Sequence, residues 1–260
     1  MPGTPKRIAH YSCPVGAKAL NSNSISVGPL QAPGPMQLPA GCGQAHAEAA
    51  EFANHPTPTA AAQALGIELP ATVLRSVPQR QLEFIAGRVA ARAALRAAGL
   101  AAPPTIAMGA DRAPAWPAGY VGSITHSAGS AWAVAARDTL LRGVGIDLER
   151  VVEAPLMRDI GDQVMTRDDA LLAVPHWPAT RIFSLVFSAK ESAYKCLAAH
   201  GGSELEFRDL CVCALDAASG SLRLRLLRPC APQLPAGFEL AGGFVALEKQ
   251  LLTWVVWPAA

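Results

Sequence analysis

Apolar residues recur at helical spacing in several segments of the chain. After Pro78, apolar side chains cushioned by alanines follow one face until Gly99, which predicts one long amphipathic helix. The same spacing predicts further helices over Gln44–Asn54, Thr59–Leu65, Leu156–Val164, Arg167–Val174 and Thr180–Ala199.

Other segments alternate apolar and polar residues with the period of two that is typical of a strand. The clearest is Leu222–Leu226, where leucines alternate with two arginines that should face solvent. Helices followed by antiparallel strands, twice along the chain, predict an α+β fold of two similar halves. Turn residues separate the other predicted strands, which are Val121–Thr125, Ala131–Ala136, Gly143–Leu148 and a hairpin of Phe238–Leu247 with Leu251–Trp257.

The composition also changes along the chain. Prolines are frequent in the first segment, together with Ser, Gly and Asn, and they disfavour regular helix there. A chain of 260 residues is long enough for one large domain or two modest ones. We therefore expect a proline-rich arm over residues 1–41, an N-terminal half over 42–142 and a C-terminal half over 143–260.

Composition and charge narrow the class of protein. Charged residues make up 16% of the chain and hydrophobic residues 51%, the second figure inflated by alanine, so the chain is globular rather than disordered. A net charge of +2 gives no sign of the basic stripe that binds nucleic acid, so electrostatic recognition must be local. Pro, Gly and Ser interrupt the nearly uncharged segment Ala113–Ala136, which argues against membrane insertion.

The cysteines and the N-terminus indicate a compartment. None of the 6 cysteines forms a C-x-x-C pair or has zinc-type spacing to a histidine. No apolar signal core follows Lys6 and Arg7. We therefore expect reduced thiols, a cytoplasmic location and a monomer.

A first charged motif lies at the end of a predicted apolar strand. In Gly145–Glu149, the sequence G-I-D-L-E places Asp147 and Glu149 on one face, because alternate side chains of a strand point the same way. Two neighbouring carboxylates repel each other, and a cation between them would relieve the repulsion. The alternative is a solvated strand end without a ligand.

A second charged motif lies on the predicted helix Thr180–Ala199. The segment Phe187–Lys195 places Glu191 and Lys195 four residues apart on one helical face, with Lys190 beside them. A third carboxylate and two ammonium groups near the first motif are what Mg²⁺ and a phosphorylated ligand require. An ordinary surface helix pair is the alternative, since paired charges are often structural.

These two motifs resemble the signatures of the 4′-phosphopantetheinyl transferases, specifically those of the enterobactin synthase component D type. The resemblance extends upstream. Arg80–Arg88 is similar to the first helix of that family, and Pro114–Gly119 followed by Gly122–Ser127 is similar to its P-x-W-P-x-G and G-S-I-S-H-S segment. Residues 1–70 and 201–260 match little that is specific.

The resemblance implies nucleotide contacts in the first half of the chain. It places Arg80, Arg88 and His126 against the 3′-phosphate end of coenzyme A, with Arg112 near the same group. The hydroxyl of Ser123 or Ser127 could add another donor to the phosphate. Arginines on an amphipathic helix can instead pack their aliphatic stems on apolar surface and keep the charged group in water, which is the alternative to a phosphate contact. A histidine at a strand end is often structural.

The resemblance also implies a fold and a reaction. It implies two pseudo-symmetric halves with the ligand between them, and Mg²⁺-dependent transfer of 4′-phosphopantetheine from coenzyme A to a serine of an apo carrier protein, with release of 3′,5′-ADP. Asp147, Glu149 and Glu191 would hold Mg²⁺. Lys190 and Lys195 would bind phosphate, and Glu191 would serve as general base.

The expected partners are acyl, peptidyl or aryl carrier domains of siderophore (enterobactin-like), non-ribosomal peptide or polyketide pathways. Two alternatives stay open. A module that binds coenzyme A without chemistry would not need three metal carboxylates. Another Mg²⁺-dependent phosphotransferase with an acidic D-x-E pair would need a nucleotide loop or a further acidic motif, and neither is present in the sequence.

Overall fold

A computed structural model describes residues 36–109 and 112–259. The proline-rich arm expected over residues 1–41 therefore lies almost entirely outside the described residues. In chain order the helices and strands are β1 Gly43–Glu48, α1 Pro58–Ala64, α2 Ala71–Leu74, α3 Pro78–Ala97, β2 Ala107–Met108, β3 Pro114–Ala115, β4 Tyr120–Ser127, β5 Ser130–Arg137, β6 Leu141–Arg150, α4 Ala154–Val164, α5 Ala179–Leu197, β7 Leu210–Asp216, β8 Ser221–Leu226, β9 Glu239–Ala246 and β10 Gln250–Pro258.

Two antiparallel sheets, each covered by one long helix, form the frame. The three-stranded sheet has the order β1-β5-β4 and packs on α3, and the five-stranded sheet has the order β6-β10-β9-β8-β7 and packs on α5. This arrangement confirms the predicted α+β class. The described residues pack as one compact unit, so the halves expected to divide at residue 143 are parts of one body, and that boundary stays a prediction.

Most of the strands predicted from a period of two are present. β4, β5 and β6 contain the three predicted consecutive strands, and β9 and β10 pair antiparallel as the predicted hairpin. In β8 the three leucines are at most 3% exposed while Arg223 and Arg225 point outward. The long helices α3 and α5 begin and end within two residues of the predicted bounds.

Two of the predicted helices are wrong. Gln44–Asn54 contains strand β1, paired with β5, and then a short turn of 3₁₀ helix over Ala49–Phe52. Its many alanines suit a helix, but the edge of the three-stranded sheet supplies partners that override this weak preference. Arg167–Val174 contains only one 3₁₀ turn, because the Asp169 carboxylate accepts hydrogen bonds from the backbone and side chain of Thr166 and so stabilises a local turn.

Glycines in β6 allow α5 to approach the strand closely. A Cβ atom on Gly145 would lie 1.8 Å from the backbone oxygen of Ser192, and one on Gly143 would lie 2.2 Å from the backbone oxygen of Cys196. No side chain fits between the two backbones at these points. The absence of Cβ atoms therefore brings the polar face of α5 directly onto β6, where Asp147 lies.

Hydroxyl groups of β4 join the two sheets. Ser123 Oγ accepts the backbone N–H of Ile146 at 3.0 Å, and Thr125 Oγ1 accepts the backbone N–H of Leu148 at 2.9 Å. These bonds satisfy amide groups on the edge of the five-stranded sheet that would otherwise be buried without partners. Ser123 is 3% exposed and its oxygen accepts this bond, while the predicted donation of its hydroxyl to coenzyme A stays a prediction.

Within the part of the chain that the structure describes, the helices are all too short or too polar to span a bilayer.

Candidate active site

Asp147 is the centre of a polar cluster between β6 and α5. Lys195 Nζ donates to Asp147 Oδ1 at 2.7 Å and to the backbone oxygen of Ile146 at 3.0 Å. Ser188 Oγ donates to Asp147 Oδ2 at 2.8 Å, and Thr125 Oγ1 donates to Oδ1 at 3.3 Å. Two elements of the fold, α5 and β4, thus hold this carboxylate in one orientation.

Glu149 and Glu191 are the carboxyl groups next to Asp147. Burial raises the pKa of Glu149 to about 7, and the charges of Asp147 and Glu191 contribute to the shift. Burial also raises the pKa of Glu191. The charge of Lys195 lowers this pKa and the charge of Asp147 raises it, but both effects are smaller than that of burial. The three carboxyl groups therefore share one electrostatic environment, in which negative charge exceeds the positive charge of Lys195.

The donor chemistry of this cluster fits Mg²⁺, which prefers carboxylate oxygens. Among the described residues, no three His, Cys, Asp or Glu side chains are gathered closely enough to form a ready metal cage. Glu149 Oε1 instead accepts the backbone N–H of Arg150 at 2.9 Å. The observation in favour of a cation is the donor set itself, because Asp147, Glu149 and Glu191 are neighbouring carboxyl groups and a divalent ion would offset the repulsion between them.

Lys190 does not belong to this cluster. Its side chain is fully buried, and Nζ donates to Asp169 Oδ2 at 2.6 Å and to the backbone oxygen of Val164 at 2.8 Å. Burial lowers the pKa of Lys190, and the Asp169 carboxylate opposes this shift. Successive helical residues point about 100° apart, so a helix that turns Glu191 toward Asp147 turns Lys190 into the core. The phosphate contact predicted for Lys190 disagrees with this placement.

A second cluster joins α3 to the end of β4. Arg80 Nη1 contacts the His126 ring, at 3.0 Å from Nδ1. Glu83 Oε2 lies 3.5 Å from His126 Nδ1 and 3.8 Å from Arg80 Nη1, and Glu83 Oε1 accepts the backbone N–H of Gly129 at 3.3 Å. The resemblance to a known helix did not assign Glu83 any role, although it lies one helical turn from Arg80.

Arg88 lies on the same helix and is deeply buried. Its side chain is 6% exposed, and the guanidinium lies 4.1 Å from the centre of the Phe84 ring. Its Nε atom is buried without a hydrogen-bond partner among the described residues. Burial and the nearby charge of Arg80 lower the pKa of Arg88 to about 10. A buried, incompletely paired cation beside a second cation is a site that favours an anion.

The structure does not bring Arg112 into the second cluster. Arg112 is exposed in the turn between β2 and β3, with a left-handed φ of 70°, and its backbone N–H donates to Gly109 at 2.9 Å. Asp111, its expected ion-pair partner, lies outside the described residues.

Both clusters fall within segments that match known families. A model described as the 4′-phosphopantetheinyl transferase N-terminal domain matches residues 69–136, and a model of the 4′-phosphopantetheinyl transferase superfamily matches residues 143–239. The first segment contains Arg80, Arg88 and His126, and the second contains Asp147 and Lys195. The chain belongs to the 4′-phosphopantetheinyl transferase superfamily. Together the two segments cover more than half of the chain, which confirms that the charged motifs are those of this superfamily.

Individual transferases of this superfamily show the same similarity. The chain is 38% identical over 118 residues to enterobactin synthase component D of Salmonella typhi, which covers 45% of this chain and 48% of that protein. It is 38% identical over 170 residues to 4′-phosphopantetheinyl transferase Svp of Streptomyces mobaraensis, a match that covers 61% of this chain and 64% of Svp. For 4′-phosphopantetheinyl transferase PptT of Mycobacterium tuberculosis the identity is 39% over 132 residues, with 47% and 53% covered. The chain thus spans about half to two thirds of the length of these transferases.

The structure brings to the Asp147 cluster further polar residues, to which the sequence analysis assigned no role. Ser188 and Ser192 precede and follow Glu191 on α5, and with Lys195 their spacing of three and four residues places them on one helical face. Thr253 is a single hydroxyl in the apolar strand β10. The helical spacing was available from the sequence, whereas the pairing of Thr253 with Asp147 depends on sheet register.

Proposed function

We propose that this chain is a 4′-phosphopantetheinyl transferase that moves 4′-phosphopantetheine from coenzyme A to a serine of an apo carrier protein and releases 3′,5′-ADP. The observation that supports this most strongly is the position of the two clusters on adjacent residues of β4. Thr125 contacts Asp147, and His126, the next residue, contacts Arg80. An anion site and a carboxylate site that contact consecutive residues of one strand suit a ligand that carries both a terminal phosphate and a pyrophosphate.

The cluster of Arg80, Arg88 and His126 would bind the 3′-phosphate of coenzyme A. The buried Nε atom of Arg88 supports this role, because a phosphate oxygen would supply the missing hydrogen-bond acceptor. A phosphate between Arg80 and Arg88 would also offset the repulsion of their charges. Glu83 would keep Arg80 and His126 near each other when no ligand is bound.

Asp147, Glu149 and Glu191 would hold Mg²⁺ next to the pyrophosphate of coenzyme A. When bound, Mg²⁺ would offset negative charge on the pyrophosphate oxygens during phosphoryl transfer. Lys195, whose side chain is 29% exposed, would donate a hydrogen bond to a phosphate oxygen from its position beside Asp147. Lys190 is assigned a structural role in this proposal because its ammonium group is enclosed with Asp169.

The chemical step would be a displacement at the phosphorus that carries the pantetheine arm. The serine oxygen of the carrier would form a bond to this phosphorus, and the bond to the oxygen of the departing 3′,5′-ADP would break. Glu191 would accept the serine proton, since burial raises its pKa and makes the carboxylate a stronger base.

The partners would be carrier domains of siderophore, non-ribosomal peptide or polyketide pathways. Several similar proteins are named as a component of enterobactin synthase, so an enterobactin-type carrier is the first to test. The experiment is incubation of the chain with apo carrier, coenzyme A and Mg²⁺, followed by mass spectrometry of the intact carrier. We expect the mass of one phosphopantetheine to be added.

Three controls make this experiment decisive. Omission of Mg²⁺ in the presence of a chelator, an Asp147→Ala variant and a carrier without its serine should each leave the carrier unmodified. Binding of coenzyme A without any addition to a panel of carriers would instead support a binding module. Addition of a different mass would support another phosphotransferase.

A further inference from the structure

A chain of buried hydroxyl groups leads to Asp147 from the side of the sheet. Ser192 Oγ lies 2.7 Å from Thr253 Oγ1, Thr253 Oγ1 lies 2.9 Å from Ser188 Oγ, and Ser188 Oγ lies 2.8 Å from Asp147 Oδ2. The side chains of Ser188, Ser192 and Thr253 are 0% exposed. The chain connects α5 to β10, the strand that pairs with β6 directly at Asp147.

The number of protons in this chain fixes its direction. Each hydroxyl has one proton to donate, and an ionised carboxylate only accepts. Asp147 is paired with Lys195 at 2.7 Å, and Ser188 Oγ lies 2.8 Å from Oδ2 and 3.3 Å from the backbone oxygen of Asp147. Both of these oxygens only accept, so Ser188 donates its proton to Asp147, and the shorter distance is to the carboxylate. Thr253 must then donate to Ser188, and Ser192 must donate to Thr253. The result is an aligned series of donors that ends on Oδ2 of Asp147.

This arrangement is more than what packing requires. The neighbours of Thr253 in β10 are apolar, and a valine would fill the same volume without the cost of burying a hydroxyl. A buried polar network that is fully satisfied defines one geometry, and its hydrogen bonds strengthen one another. The outermost member, Ser192, can also donate to the backbone oxygen of Thr253 at 3.2 Å, so removal of the Thr253 hydroxyl leaves Ser192 with a partner but Ser188 without a donor.

We propose that Thr253 is a positioning residue, which orients Ser188 and through it holds the Asp147 carboxylate in the rotamer that binds the divalent cation. This inference rests on the proposed function, in which Asp147 is a metal ligand. Lys195 and Thr125 hold Oδ1, and the hydroxyl chain holds Oδ2. Groups that orient a metal ligand typically change metal affinity about 10- to 100-fold when removed.

The test measures metal affinity rather than turnover. Mn²⁺, a paramagnetic substitute for Mg²⁺, is titrated into the full chain with coenzyme A present and carrier absent, and free Mn²⁺ is followed by electron paramagnetic resonance. The variants are Thr253→Val, which keeps the shape, and Thr253→Ser, which keeps the hydroxyl. Ser184→Ala is the matched control, because Ser184 is equally buried on α5 but bonds to Thr180 and Val152 instead.

We expect Thr253→Val to weaken Mn²⁺ binding about tenfold, whereas Thr253→Ser and Ser184→Ala stay within about twofold of the parent chain. Unchanged affinity in Thr253→Val, or an equal loss in Ser184→Ala, would overturn the positioning role. If Thr253→Val does not fold, Ser188→Ala is measured in its place, because Ser188 makes the contact between Thr253 and Asp147, and unchanged affinity there overturns the inference too. A parent chain that binds no Mn²⁺ would refute the metal site of the proposed function itself, and this inference with it.

Discussion

The Thr125 hydroxyl lies 3.3 Å from Oδ1 of Asp147, although the two residues belong to different sheets. The Thr125 hydroxyl oxygen also accepts the backbone N–H of Leu148 at 2.9 Å. Because His126 is the next residue of β4, any displacement of this strand would move both the anion cluster and the carboxylate cluster. The two parts of the candidate site are therefore mechanically coupled through one strand.

The first prediction concerns this coupling. Thr125→Val should lower kcat/KM and reduce the free energy of unfolding by about 1–3 kcal/mol, because the Leu148 N–H would be buried without an acceptor. Thr125→Ser keeps the hydroxyl and should behave like the parent chain. Urea unfolding and carrier modification assays measure the two effects. Equal behaviour of the valine and serine variants would show that the hydroxyl is dispensable.

The second prediction concerns the anion cluster. Calorimetry should show that the parent chain binds coenzyme A at least about tenfold more tightly than 3′-dephospho-coenzyme A, which corresponds to about 1.4 kcal/mol. An Arg88→Ala, His126→Ala double variant should lose most of this preference, because two of the three proposed phosphate contacts are absent. Arg112→Ala is the control, since Arg112 is exposed, and it should keep the preference. A preference that survives in the double variant would contradict the assignment.

The third prediction separates two roles for Lys190. Lys190→Met should reduce the free energy of unfolding by about 3–5 kcal/mol, because it leaves the Asp169 carboxylate buried without its counter-ion. Asp169→Asn combined with Lys190→Met removes that charge and should recover part of the stability and of the transferase activity. Urea unfolding at neutral pH tests this. A stable Lys190→Met protein with weakened coenzyme A binding would restore the phosphate role that the sequence predicted.

The fourth prediction concerns the close contact of β6 with α5. Gly145→Ala should strongly destabilise the protein, because the new Cβ would lie 1.8 Å from the backbone oxygen of Ser192 and neither backbone can move freely. Gly161→Ala is the matched control. A Cβ there meets nothing within 4 Å, and the change within α4 should stabilise the protein by about 0.5–1 kcal/mol. Thermal unfolding of both variants provides the comparison, and a Gly145→Ala protein of normal stability would disprove the tight packing.

The sequence predicted the parts of this fold that depend on local periodicity. Helix α3 and strand β8 can be predicted from the spacing of apolar residues alone. Their apolar residues repeat clearly with the period of a helix in α3 and of a strand in β8. Strand β1 could not be predicted in this way. Its alternating residues include alanines that suit either state, and only the edge of β5 decides between them.

The candidate site was predictable in residue type but not in geometry. The sequence placed Asp147, Glu191 and Lys195 on compatible faces, and the structure brings them together. It could not show that Lys190 turns into the core, because a fully buried lysine is rare and its partner Asp169 is distant along the chain. The contact of the Ser123 hydroxyl with the backbone of β6 joins two strands, and no local sequence pattern encodes it.

Strand β10 lies between β6 and β9, although it is the last strand along the chain. During synthesis from the N-terminus, β6 emerges long before the segment Gln250–Pro258 that pairs with it. Until then β6 has an exposed edge that can pair with another nascent chain, and Asp147 lacks the strand that carries Thr253. The segment Gln250–Pro258 thus completes both the edge of β6 and the surroundings of Asp147, and its removal would expose that edge and take Thr253 away from the carboxylate cluster.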